Sequence, residues 1–303
     1  MYLTDIRKKM IYTKQKYYES GPKFAKLLAS KLKKQEADST IYKIKDPSSK
    51  ICVHNQSEIQ NIFLNYYKHL YTQPNLKNPH QIQNFLKTLN LPVITEDQNE
   101  LLTAEITEGE LSRAITDLKA NKAPGPDGFP SEWYKKFKME LLPFLTQILN
   151  KVLKENKIPP TWKQANISVI PKEGKDPLNC SSFRPISVLN VDYKLFTAIM
   201  AKRLESVLPC LINTGQTGFI SQRQTHDNIR RTLHIWSHIQ KNKIEAAMVS
   251  LDAEKAFDSV SWCFLYKVLE RFGFHYKFIQ VIKSLYTIPT ACIKINGQLS
   301  NTF

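Results

Sequence analysis

The chain has 303 residues, 42% of them hydrophobic, so it can bury one large core or two smaller ones and is not intrinsically disordered. Lys and Arg number 43 against 27 Asp and Glu, and the net charge of +16 indicates a nucleic-acid partner and no membrane partner. Five dispersed cysteines without a CxxC pair argue against a zinc ribbon or a disulfide framework. Without a membrane span or signal peptide, we expect an intracellular protein of the nucleus or cytoplasm.

The first third of the chain has the pattern of basic helices followed by a small hairpin. Residues 1 to about 36 are helical in pattern, with tyrosines among many lysines, which fits nucleic-acid contacts and a solvated helix face equally well. The segment IYKIKDPSSKICV predicts a hairpin that turns at Asp46-Pro47-Ser48. Ile59 to Tyr71 then predicts an amphipathic helix.

Residues 92–157 predict helices on either side of a loop. Thr107 and Glu110 have the spacing of a capping box at the start of a helix. The loop at 121–129, NKAPGPDGF, cannot be helical, and its proline and glycine residues are typical of a tight turn. Ser131 to Lys157 then predicts one or two amphipathic helices.

The next segment predicts strands with basic side chains at or near their ends. NISVIPK predicts a strand with Lys172 at its end, and FRPISVL follows with Arg184 near its start. For either residue alone, an ordinary surface position is the simpler interpretation. Val191 to Leu211 then predicts a long helix with one buried side.

The stretch AAMVSLDAEKAFDSV, at 246–260, contains a candidate metal-binding residue, Asp252. Ala246 to Leu251 is a short apolar run that predicts a buried strand, and Asp252 follows it directly. A carboxylate at the end of a rigid strand suits a hard cation such as magnesium. The alternative is that Asp252 caps the following turn.

The last part of the chain predicts two helices and a hairpin. The helices are expected over Trp262 to Phe272 and over Tyr276 to Tyr286. Ala291 to Ile295 alternates like a strand, and Asn296-Gly297 is a strong signal for a hairpin turn.

Several of these segments together resemble one family. SLDAEKAFDSV is similar to the first palm motif of reverse transcriptases, above all those of LINE-type, non-LTR retroelements. NKAPGPDGF resembles the family's signature at the start of the fingers, and GQTGFISQRQTHDNIRR resembles its G-x-x-GF…GR-x-T-x-DNIRR segment. YYESGPKFAKLLASKLKK and IQNIFLNYYKHLY resemble the connector between endonuclease and polymerase. The motifs follow the family's order and cover nearly the whole chain.

The resemblance implies roles for four residues around an incoming nucleotide. Asp252 would bind the catalytic metals, and Phe257 would lie under the sugar and disfavour a ribose hydroxyl. Lys172 and Arg184 would bind the triphosphate, in agreement with the bidentate anion binding that arginine allows. We expect Asp252 at or just past the end of a central strand, in one cleft with the other three residues.

The resemblance also implies two segments that contact the template. One lies in the loop of the fingers signature, and the other follows the long helix. The template-binding residues are Gly125, Asp127 and Gly128 in the first segment, and Gln216, Gly218 and Phe219 in the second. Gln222 departs from the family, which often has glycine at this position.

The family's second metal-binding motif, an aromatic-x-Asp-Asp hairpin, has no counterpart, because the sequence contains no Asp-Asp dipeptide. Nucleotidyl transfer uses two divalent metals, and one carboxylate cannot hold both. We therefore expect a fragment of an RNA-directed DNA polymerase that is inactive as it stands, with an incomplete magnesium site. The alternatives are a non-catalytic nucleic-acid-binding remnant and a truncated gene model.

The implied fold is α+β and mostly helical, a partial right-hand polymerase with the fingers and the N-terminal half of the palm. The expected domains are a basic helical connector at 1–91, fingers at 92–245 and a partial palm at 246–303. The implied partners are an RNA template, a DNA primer and deoxynucleoside triphosphates, with Mg2+ as the cofactor.

Overall fold

The structure of the protein, a computed structural model, describes residues 40–72, 78–253 and 256–303. These residues form two compact units. The first unit comprises 40–63, 168–186 and 294–300, and the second comprises 64–167, 187–293 and 301–303. The basic helices predicted within residues 1 to 36 lie outside the described residues. The predicted domain boundaries after residues 91 and 245 stay predictions.

The described residues contain both helices and strands, with helix predominant, as the sequence predicts. The α-helices are α1 (Gln56–Tyr71), α2 (Pro79–Lys87), α3 (Glu96–Thr103), α4 (Glu108–Asp117), α5 (Ser131–Lys136), α6 (Lys138–Glu155), α7 (Val191–Leu211), α8 (Thr225–Lys241), α9 (Trp262–Arg271) and α10 (Tyr276–Leu285). The strands are β1 (Ile44–Lys45), β2 (Cys52–Val53), β3 (Gln164–Pro171), β4 (Phe183–Val188), β5 (Thr290–Ile295) and β6 (Gln298–Leu299). Short 3-10 turns at Pro160–Lys163 and Cys180–Ser182 precede β3 and β4.

The strands form two sheets. β1 and β2 are an antiparallel pair, and the other four strands form a sheet in the order β4-β3-β5-β6. The α+β class is therefore confirmed. None of the helices in the described ranges has both the length and the apolar character that a bilayer crossing requires.

The first unit begins with the predicted hairpin of β1 and β2. The Asp46 carboxylate accepts hydrogen bonds from the backbone N–H of Ser48 at 3.0 Å and of Ser49 at 3.3 Å, as an Asx turn does. These bonds lower the pKa of Asp46, the bond from Ser48 most. The turn at Asp46-Pro47-Ser48 is thus confirmed. In the same unit, the Phe63 and Phe183 rings pack edge to face with centroids 5.1 Å apart.

The β5–β6 turn also follows the prediction. Asn296 and Gly297 have φ values of 50° and 84°, and two successive positive φ values define the tight hairpin turn that Asn-Gly favours. The Asn296 side chain exchanges two hydrogen bonds of 2.9 Å with the backbone of Ile41 and donates another of 2.7 Å to Gln56 Oε1. Its amide therefore holds residues 41 and 56 against the hairpin.

The second unit is built around one hydrophobic core, to which α3, α4, α6, α7 and α10 contribute. Leu102, Ile115 and Phe196 are fully buried at its centre. Burying a side chain of this size stabilises the fold by about 2 kcal/mol. The predicted capping box is present at the start of α4, where Thr107 and Glu110 bond each other's backbone N–H groups.

One strand prediction is wrong. Ala246 to Leu251 has no regular secondary structure and lies exposed, with Met248 at 66% and Leu251 at 91% exposure. A strand needs a neighbour that satisfies its N–H and C=O groups, and neither sheet of the described residues includes this segment. Local hydrophobicity alone therefore does not make it a strand.

Candidate functional site

The loop of the fingers signature closes a tight turn in the second unit. The Gly128 N–H donates to the Gly125 carbonyl at 3.1 Å, and the Asp127 carboxylate accepts from the Phe129 N–H at 3.1 Å. Gly128 has φ 80°, in the left-handed region that glycine enters without steric cost. The turn expected at 121–129 is therefore confirmed.

A buried asparagine fixes this loop to the start of α7. Asn190 is only 2% exposed, and its side-chain oxygen accepts from the Asp127 N–H at 3.3 Å. Its side-chain nitrogen donates to the Thr161 carbonyl at 3.1 Å. Gly125 packs so closely that an added Cβ would lie 2.6 Å from the backbone of Asn190. Asn190 thus holds the predicted template residues Gly125 and Asp127 through their backbone atoms.

The second predicted template segment is organised by one arginine. The Arg223 guanidinium donates to four carbonyls at the end of α7 and just beyond, at distances between 2.6 and 3.1 Å; these belong to Pro209, Ile212, Asn213 and Gln216. The Asn228 side chain donates to the Gly215 carbonyl at 2.9 Å. Gln216, Gly218 and Phe219 remain exposed, so this framework presents them to solvent.

Two residues of this segment have left-handed backbone conformations. Phe219 has φ 62° and Gln222 has φ 65°. Gln222 stands where the family often has glycine, and the structure keeps the conformation that glycine would adopt there. Left-handed backbone disfavours residues with a Cβ by roughly 1–2 kcal/mol. The segment therefore stores strain at both positions.

Replacing Gln222 with glycine should stabilise the second unit by about 0.5–1 kcal/mol, because relief of this strain exceeds the added flexibility of the unfolded chain. Urea unfolding followed by circular dichroism measures the change. Gln147→Gly, at an exposed position in the interior of α6, is the control and should destabilise by about 1 kcal/mol. Equal destabilisation by both substitutions would contradict the left-handed assignment of Gln222.

The structure brings a predicted template residue into contact with a predicted nucleotide residue. The Phe219 and Phe257 rings lie edge to face, with centroids 5.8 Å apart and an angle of 84° between their planes. Phe219 is 89% exposed and Phe257 is 83% exposed. Exposed aromatic rings can stack on the bases of a nucleic acid. These two side chains are therefore the centre of the candidate site.

Asp252 lies exposed in the irregular segment and not at the end of a strand, which corrects the expected placement. Magnesium is usually held by several oxygen ligands. Within 40–72, 78–253 and 256–303, no three carboxylate, histidine or cysteine side chains are grouped so that they could hold a metal ion. The described residues therefore do not fit a complete magnesium site around Asp252.

The two predicted triphosphate residues belong to the first unit. Lys172 follows β3 directly, as predicted, and its ammonium donates to the Ser181 carbonyl at 2.8 Å. Arg184 is the second residue of β4 and is exposed. Their expected position in one cleft with Asp252 and Phe257 stays a prediction.

Asn190 and Arg223 position the site, and neither role was predicted from the sequence. An asparagine before a helix normally suggests an N-cap, yet the Asn190 side chain makes no capping hydrogen bond in α7. Arg223 lies inside the GQTGFISQRQTHDNIRR motif, so its place in the motif was the available signal. Neither role follows from spacing, because their partners are backbone groups that only folding brings close.

Comparison with known proteins agrees with the motifs. Residues 170–303 match the family described as reverse transcriptase (RNA-dependent DNA polymerase). The chain is 32% identical over 210 residues to the transposon TX1 uncharacterized 149 kDa protein of Xenopus laevis, covering 69% of this chain and 16% of that protein. It is 29% identical over 265 residues to the RNA-directed DNA polymerase from mobile element jockey of Drosophila melanogaster, covering 85% and 28%.

A third relative is the retrovirus-related Pol polyprotein from type-2 retrotransposable element R2DM of Drosophila melanogaster. It is 28% identical over 247 residues, covering 80% of this chain and 22% of that protein. The chain thus spans less than a third of the length of these relatives. The family matches, together with the ordered motifs, show that the chain belongs to the LINE-type, non-LTR retrotransposon reverse transcriptases.

Proposed function

We propose that this chain supplies the fingers and the first part of the palm of an RNA-directed DNA polymerase. The observation that carries the proposal is the contact between Phe219 and Phe257, at 5.8 Å between ring centroids. One ring belongs to the segment similar to the family's template-binding motif, and the other to the first palm motif. Both rings are exposed, so a nucleic acid can reach them.

The proposed substrates are an RNA template, a DNA primer and deoxynucleoside triphosphates. Phe257 would contact the sugar of the incoming nucleotide, and Lys172 and Arg184 would bind its triphosphate. Asp252 would provide one oxygen ligand for Mg2+, which supplies electrostatic stabilisation of the transferring phosphate when bound. Within the part of the chain that the structure describes, no three carboxylate, histidine or cysteine side chains are grouped around a metal position, so no further step is assigned to the metal.

The net charge of +16 supports a nucleic-acid substrate, because Lys and Arg that neutralise phosphates release bound counterions. Affinity for a single-stranded RNA should fall by roughly tenfold to a thousandfold between about 50 and 200 mM salt. Fluorescence anisotropy with a labelled RNA measures this change, and a shuffled RNA of equal length should bind equally well. Affinity that does not change with salt would contradict the proposed binding mode.

The 303-residue chain, tested by itself, is expected not to extend a primer. Asp252 alone leaves the metals largely without protein ligands, and the loss of such electrostatic stabilisation typically costs a factor of about 100 or more in rate. The test is primer extension on an RNA template with magnesium and then manganese, comparing the chain with Asp252→Ala. Background signal from both is the expected result, with an active reverse transcriptase as the positive control.

Extension that disappears in Asp252→Ala would contradict this expectation and would mean that other carboxylates complete the site. The same experiment addresses a second candidate function, a binding protein without catalysis. The net charge of +16 and the exposed Phe219 and Phe257 rings are the observations that favour this candidate. Salt-dependent RNA binding without extension is what it predicts.

A further inference from the structure

Two exposed phenylalanine rings in contact are unusual enough to require an explanation. Single exposed apolar side chains are common on protein surfaces, but Phe219 and Phe257 expose 89% and 83% of their area and still meet each other. They come from different loops of the second unit, so folding brings them together. The edge-to-face arrangement is a favourable one for aromatic pairs.

The backbone of Phe219 is strained where it presents its ring. Its φ of 62° lies in the left-handed region, which a bulky residue rarely occupies. The surrounding segment is held by the hydrogen bonds of Arg223 and Asn228 to its carbonyls. Strain of this kind persists where the surroundings determine the conformation, and it concentrates at functional sites. The fold therefore maintains an exposed ring in an unfavourable conformation.

The Phe257 ring is largely open to solvent. It lies in the turn at 256–259, outside helices and strands. Its 83% exposure means that few other atoms cover it. The edge-to-face contact with Phe219 can therefore select one orientation of the Phe257 ring.

From these observations we infer that Phe219 is a positioning residue for Phe257, and that the two rings form one aromatic surface for a nucleoside of a single-stranded nucleic acid. The inference rests on the proposed function. It couples two residues that the resemblance assigns to separate partners, Phe219 to the template and Phe257 to the incoming nucleotide. A nucleoside suits this surface because its base and sugar present flat or apolar faces to aromatic rings. Occupation of the template segment would then affect the residue that meets the nucleotide.

A double-mutant cycle on the whole chain tests this coupling. The affinity for a single-stranded RNA of about ten nucleotides is measured at fixed salt for the wild type, Phe219→Ala, Phe257→Ala and the double variant. Each single substitution should weaken binding about tenfold, the usual effect of losing one stacking aromatic. If the rings act as one surface, the affinity of the double variant should also fall only about tenfold. Two independent rings would instead give a fall in affinity of about a hundredfold.

Three controls separate this role from a structural one. Phe219→Tyr keeps a ring at the same place and should restore the affinity that Phe219→Ala loses. The dependence of affinity on salt should be the same in all variants, because neither ring neutralises a phosphate. Phe144→Ala removes another exposed ring, 67% exposed on α6, and should leave the affinity unchanged.

A hundredfold loss in the double variant, wild-type affinity in Phe219→Ala, or failure of Phe219→Tyr to restore binding would each overturn the inference. If the wild type binds RNA with the expected salt dependence while the variants bind equally well, only this inference fails. If the wild type does not bind RNA, the proposed function fails with it. Non-additive losses of RNA affinity, together with rescue by Phe219→Tyr, support both the inference and the proposed function.

Discussion

Replacing Gly125 with alanine should destabilise the second unit by about 3 kcal/mol, the upper range for overpacking of a close contact. The added Cβ would lie 2.2 Å from the Asn190 side-chain oxygen and 2.6 Å from two of its backbone atoms. Backbone cannot rotate out of the way as a flexible side chain can. The loop must therefore move, which also breaks the hydrogen bond from the Asp127 N–H to Asn190. Equilibrium urea unfolding gives the loss of free energy.

The matched control is Gly109→Ala near the start of α4, where the nearest atom to an added Cβ is the Thr107 hydroxyl oxygen at 3.8 Å. This substitution should be neutral or slightly stabilising, because alanine favours helix over glycine. The backbone of Gly125 is not in the left-handed region, so steric contact is the only cause under test. If the free energies of unfolding of both variants lie within about 0.5 kcal/mol of the wild-type value, Gly125 does not pack closely on Asn190.

Replacing Arg203 with alanine should cost about 3 kcal/mol, the lower end of the usual effect of removing one partner of a buried ion pair, because the Glu110 side chain that remains is still 24% exposed. Arg203 is 7% exposed and donates to the two carboxylate oxygens of Glu110 at 2.7 and 2.9 Å. It also donates to the carbonyls of Ala104 and Glu105 at 2.6 and 3.0 Å. The variant therefore leaves a carboxylate and two carbonyls without this donor. Urea unfolding at neutral pH measures the loss.

The pH dependence of stability should identify the same pair. The hydrogen bonds from Arg203, more than any other factor, hold the pKa of Glu110 at about 2, below its ordinary value of 4.5. Because the folded-state pKa is the lower one, the stabilisation is complete above pH 4.5 and is lost as the pH falls toward 2. In Arg203→Ala this loss between pH 4.5 and 2 should be much smaller.

The control for this buried ion pair is an ion pair exposed to solvent. Lys202 and Glu205 are 2.8 Å apart, but the Lys202 side chain is 81% exposed. Lys202→Ala should therefore leave the free energy of unfolding nearly unchanged. A similar small effect of Arg203→Ala, with an unchanged pH profile, would contradict the buried pair.

Short-range patterns in the sequence were sufficient for most of the local structure. The capping box of Thr107 and Glu110, the turns at Asp46 and Asn296, and the helix from Val191 to Leu211 all depend on residues within a few positions of one another. Such interactions are formed by neighbouring groups in the chain, so spacing is enough to predict them. The family was also readable from the sequence, because its motifs are short and ordered.

Only the tertiary structure decided how these parts meet. The apolar run at 246–251 reads as a strand, yet strand formation depends on a partner elsewhere in the chain. Asn190 lies directly before α7, and its amide bonds the Asp127 N–H and the Thr161 carbonyl of two other loops. The contact of Phe219 with Phe257 joins distant segments for the same reason. Long-range contacts depend on the whole fold, and no local pattern encodes them.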